Sequence, residues 1–111
     1  MAALIAVSIT LAGVTPTAVV ANATDTIAAG QFGANGVILR VTNAGGSPDN
    51  ITVVDPNRTL LGYPGEEVVI AVPAAGVRQI LIPITAIDQA TGLATINHSF
   101  TTSVSQEVAR I

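Results

Sequence analysis

The sequence predicts an all-β fold, a small β-sandwich or jelly roll of about eight antiparallel strands. Three observations carry that expectation. Val, Ile, Leu and Ala dominate the apolar half of the chain, Thr is abundant, and Phe32, Tyr63 and Phe100 are the only aromatic residues; this mixture favours strands over helices. Apolar residues recur with a two-residue period in short runs. Clusters of Gly, Pro, Asn and Asp separate those runs, as the reversals of a sandwich require.

The first 23 residues are apolar and end in Ala21-Asn22-Ala23, a pattern resembling a leader cleavage site. No Lys or Arg precedes Arg40, and Ser8, Thr10, Gly13 and Thr15 interrupt the apolar block, so the segment reads as structure. Ile5, Val7, Ile9 and Leu11 alternate with Ala6, Ser8 and Thr10, which predicts one edge-compatible strand. Gly13 and Pro16 end it, and Thr17 to Ala21 forms a second short strand. Residues 22–35 read as the longest irregular piece, the kind of loop that often carries binding contacts.

From Gly36 to Asp55, Val37, Leu39 and Val41 alternate with Ile38, Arg40 and Thr42 before the cluster Asn43 to Asn50, after which Ile51 and Val53 resume the period. That pattern predicts a β-hairpin. A long connection follows through Gly62-Tyr63-Pro64-Gly65, and Val68, Ile70 and Val72 then alternate as a strand. Pro73-Ala74-Ala75-Gly76 reads as a hairpin turn into residues 77–82, where the alternation leaves the inward face open between Ile80 with Ile82 and Gln79 with Leu81. Residues 93–100 and 103–110 make a closing pair. The expected core is Val37, Leu39, Val41, Ile51, Val53, Val68, Ile70 and Val72.

A chain of 111 residues suits a single domain spanning 1–111, with 1–35 as a partner-contacting segment. Without cysteine there is neither a disulfide framework nor a Cys-ligated metal or redox centre. A net charge of −3 with only four scattered arginines offers no basic patch, which excludes nucleic acid as the expected partner. No stretch is long and unbroken enough to cross a bilayer, so no membrane is expected either.

The chemistry-bearing residues are few. His98 is the only histidine; with no second His and no acidic neighbour in sequence it reads as a packed or strand-surface residue. Glu66 and Glu67 would point to opposite faces of a strand. Asp49, Asn50, Asp55 and Asn57 lack calcium-loop spacing and read as turn residues. Gly30-Gln31-Phe32-Gly33 leads into a strand, where a phosphate loop would need a helix. Four sequons begin at Asn22, Asn50, Asn57 and Asn97, and the Thr-rich composition accounts for them without glycosylation. Neither catalytic residues, metal ligands nor a cofactor are expected, and the chain reads as non-enzymatic.

Three stretches taken together, VILRVTNAGGSPDNITVV at 37–54, VVIAVPAAG at 68–76 and DQATGLATINHS at 88–99, with the valine-containing end 103–110, resemble small proteins encoded near the major capsid gene of tailed bacteriophages. The resemblance implies a head decoration or minor capsid protein on the capsid exterior, with the major capsid protein and further copies of itself as partners, and a trimer by analogy with proteins at lattice three-fold positions. A tail or neck component, or a bacterial surface adhesion module, is the alternative. Where relatives carry a Phe-Pro-rich segment before the closing strands, this chain has Ile80-Leu81-Ile82-Pro83-Ile84. Low charge and a positive mean hydropathy in a small domain leave apolar surface outside the core. The candidate contact residues are Ile5, Val7, Ile9, Leu11 and Phe32.

Overall fold

A computed structural model describes residues 2–15, 17–54 and 68–111. Among them are ten short strands: β1 (Ala2–Leu4), β2 (Ala6–Ser8), β3 (Val19–Val20), β4 (Thr24–Ala28), β5 (Val37–Asn43), β6 (Asp49–Val53), β7 (Val68–Val72), β8 (Gly76–Ile82), β9 (Leu93–His98) and β10 (Val104–Arg110). Two single-turn 3-10 helices, Ala29–Gln31 and Ile84–Ala86, are the only helical pieces described. One sheet runs β1-β4-β9-β6-β7; the other runs β2-β10-β5-β8, with β3 beside β10. The expected all-β sandwich is thus the observed fold.

Both sheets are mixed. β1 pairs with β4 and β2 with β10 in parallel, while every other strand pairing is antiparallel. The expectation of a wholly antiparallel sandwich therefore fails at the N-terminus. There the single strand expected from Ile5 to Leu11 is split: Ala2–Leu4 joins one sheet, the chain crosses at Ile5, and Ala6–Ser8 joins the other. Gln31 and Arg110 hold this crossing. The Gln31 side-chain oxygen accepts from the Ala6 N–H at 3.0 Å, and the Arg110 guanidinium donates to Ser8 Oγ at 2.8 Å and to the Ala6 carbonyl at 3.2 Å. Ile9 to Leu11, expected to continue the strand, lie instead in a loop over residues 9–15.

The hairpin expected at 36–55 is also corrected. β5 and β6 lie in opposite sheets, so the Asn43 to Asn50 segment is an arch across the sandwich. Asn43 builds it: its side-chain amide donates to the carbonyls of Ser47 at 2.8 Å and of Val72 in the facing sheet at 3.3 Å, and its oxygen accepts from the Gly45 N–H at 2.9 Å. Gly45 passes so close to Phe100 and the Thr102 carbonyl that a Cβ there would sit 2.5 Å from both. The 73–76 turn and the 99–103 connection likewise join strands of different sheets. Among the described strands, β6 and β7 are the one pair successive in the chain that lie side by side in the same sheet.

Leu4, Ile27, Val37, Leu39, Val41, Ile51, Val72, Ile80, Ile82, Ala94, Ile96, Val104 and Val108 fill the space between the sheets. Five of the eight expected core residues are fully buried there, and Val53 and Ile70 pack against them half-buried. The side chain of Val68 lies outside the described residues. Ile80 and Ile82 face inward, which decides the face that the sequence left open. Residues 22–35, read as irregular, contain the fully paired strand β4 between β1 and β9.

Candidate functional site

The unexpected feature of the interior is polar. Asp25 of β4, Asp49 of β6, His98 of β9 and Gln106 of β10 are all buried between the sheets. His98 Nδ1 lies 2.6 Å from Asp49 Oδ2, and His98 Nε2 lies 2.9 Å from Gln106 Oε1. The Gln106 amide nitrogen donates to Asp25 Oδ2 at 2.5 Å. That donation fixes the amide's orientation: its oxygen faces His98 and accepts from it. Both ring nitrogens of His98 therefore face oxygens, Asp49 Oδ2 on one side and Gln106 Oε1 on the other.

Asp25 is closely held. Burial alone would push its carboxyl up, but the Asn22 N–H, the Gln106 amide, the Asn22 side-chain amide and the Ala2 N–H all donate to it and hold it below its ordinary value of 3.8. Asp49 accepts from the Phe100 N–H at 3.2 Å with the oxygen that His98 does not use. Every buried side-chain nitrogen and oxygen among the described residues has a partner. The chain of contacts Asp49, His98, Gln106, Asp25 crosses from one sheet to the other and back. Two expectations change accordingly. Asp49 is no turn residue, and His98 has acidic neighbours in space though none in sequence. The histidine is saturated and sealed, a clamp between sheets with no lone pair left for a substrate or metal.

Among the described residues no group of three or more His, Cys, Asp or Glu side chains is placed to hold a metal ion, and no helix is long and apolar enough to cross a membrane. Glu66, Glu67, Asp55 and Asn57 lie outside the described residues. The sequons at Asn50 and Asn97 gain a structural explanation: with a two-residue period, Asn50 and Thr52 share one face of β6. Register then sets Thr24, Asn97 and Thr52 side by side across three strands on the outer face of their sheet. The Thr24 hydroxyl donates to the Asn97 side-chain oxygen at 3.0 Å.

The second notable region is the exposed apolar N-terminal segment. Ile5, Ile9 and Leu11 are exposed, Val7 is half-buried, and Phe32 turns half-buried against the core. Val14, Val19 and Val20 extend the exposed series. Leu11 occupies the tip of a turn closed by the Gly13 N–H on the Thr10 carbonyl at 3.0 Å, and its side chain is wholly in solvent. Beside the turn, on the outer face of the β2-β10-β5-β8 sheet, lies an open groove of about 400 Å³ lined by Val7, Ile9, Val14, Ile38, Arg40 and Glu107, among others. Arg40 and Glu107 are paired across β5 and β10 at 3.1 Å. Searches against protein families, curated proteins and solved structures match nothing to this chain.

Proposed function

We propose that this chain is a non-enzymatic structural protein of a phage virion that binds the outside of the capsid, associates with copies of itself and reinforces contacts between capsomers. The observation that carries the reading is the charge-free apolar segment from Ile5 to Val20, whose large side chains stand in solvent although the sandwich has a filled core of its own. Ile9 and Val14 line one groove with Val7 and Ile38, and contiguous apolar surface of this kind marks a place where another protein sits. The saturated state of His98 supports a structural role, because the chain's one histidine is already committed at both nitrogens. The resemblance of the turn and strand pattern to decoration proteins supplies the capsid as partner.

Purified heads test this directly. The protein should cosediment with DNA-filled heads, in a copy number that scales with the capsid lattice. Cosedimentation with tails in place of heads would move it to the tail or neck, and binding to neither would end the virion reading.

A further inference from the structure

The geometry points to Leu11 of one copy docking into the groove beside the Leu11 turn of a second copy. This deepens the self-association proposed above and rests on it. Three observations carry it. Leu11 is 110% exposed whereas its neighbours Ile9 and Val14 line the groove, so the turn holds Leu11 away from the apolar surface its own segment helps to build. At about 400 Å³, the groove has room for a branched aliphatic side chain and the turn that carries it. Knob and groove thus belong to the same face but do not meet within one molecule.

Charge favours a second copy as the occupant. The molecule is net negative at −3, so two copies repel one another over most of their surface. No charged residue occurs before Asp25, and the groove's two charges, Arg40 and Glu107, neutralise each other. This face therefore brings two copies together with little repulsion. Each copy offers one knob and one groove, so the contacts close reciprocally in a pair or head to tail in a ring; the expected trimer is the ring.

Light scattering on the purified full chain should give a mass above the monomer, and Leu11→Asp should reduce it to the monomer. Because Leu11 touches no core residue, the variant should keep the far-ultraviolet circular dichroism of the parent. The chain lacks cysteine, so a second measurement is clean: mixing the single variants Leu11→Cys and Gln79→Cys, the latter on the groove wall, should give a mixed disulfide in several-fold excess over either self-linked product. An unchanged mass for Leu11→Asp, or no excess of the mixed disulfide, overturns the proposal. If the parent is monomeric and Leu11→Asp abolishes head binding, the knob serves the capsid, which overturns the proposal while sparing the virion reading. If both bind no heads yet differ in mass as expected, the docking stands and the virion reading fails.

Discussion

Replacing Asp49 by Ala tests the account of the sealed polar core most severely. The substitution removes the acceptor 2.6 Å from His98 Nδ1 and the acceptor of the Phe100 N–H. His98 still faces Gln106 and, at 3.8 Å, Asp25, but one of its nitrogens then points into an apolar void. A charged hydrogen bond contributes about 1.5–3 kcal/mol, and an orphaned buried donor costs about 1–3 kcal/mol. The expected loss is about 3–5 kcal/mol, the range for breaking a buried ion pair on one side. Set against a total of about 5–15 kcal/mol for a domain, that is a large share of the stability.

The internal control is Arg40→Ala. It breaks the ion pair of Arg40 with Glu107, which is on the surface and should cost less than about 1 kcal/mol. Urea denaturation of the parent, Asp49→Ala, His98→Leu and the double variant gives both the single losses and their coupling. The double variant should lose less than the sum of the single ones by about 0.5–3 kcal/mol, because the second substitution removes the group that the first left unpaired. A loss at Asp49 no larger than that at Arg40, or strict additivity, would refute the clamp.

Asp25 sets the acid limit: its carboxyl is held below its ordinary value of 3.8, so its contribution is present above that pH and is lost as pH falls through the lower folded value. Asp25→Asn should therefore flatten the acid limb of the stability profile, and an unchanged slope would count against it. Leu39→Ala, at a fully buried site, should cost about 2–5 kcal/mol by chemical denaturation, whereas Thr52→Ala on the outer face should stay within about 0.5 kcal/mol; similar losses at both would mean the faces are reversed. Gly36 has φ +99° and a Cβ there would sit 2.5 Å from the Ile82 carbonyl oxygen, so Gly36→Ala should cost more than about 1 kcal/mol. Gly30→Ala, with open space around it, is the matching control, and equal thermal midpoints for the two would contradict the backbone account.

Strand positions were legible because alternation and turn chemistry are local. Which sheet a strand joins was not, since the same Asn, Gly and Pro residues that close a hairpin also close an arch. What separates the two is the distant partner, here Val72 for the Asn43 amide, and a sequence does not display it. The polar core was hidden by a different rule: Asp and Gln are expected outside. Yet the period itself carried the signal. Asp25 shares parity with Ile27, Asp49 with Ile51, His98 with Ile96 and Gln106 with Val104 and Val108, all buried. Extending the alternation one step beyond its end apolar residue would have put Asp25, Asp49 and His98 inside, and Gln106 falls within the alternation of Val104 and Val108.

That parity also explains what four buried polar groups contribute to a core otherwise made of small, interchangeable aliphatics. Shifting β10 by one residue along β5 would turn Val104 and Val108 outward, and the loss of burial forbids it. A two-residue shift is a different matter. It keeps the same set of side chains inward, but it puts one valine at the site of Gln106 and Gln106 at the site of a valine. It would also move Gln106 about 6.8 Å along the strand, away from both His98 and Asp25. His98 and the Asp25 carboxylate would each lose a buried partner, at about 1–3 kcal/mol apiece or more for a charged group. Alternation therefore decides which face of β10 is buried, and the network adds to the cost of registers that keep that face inward.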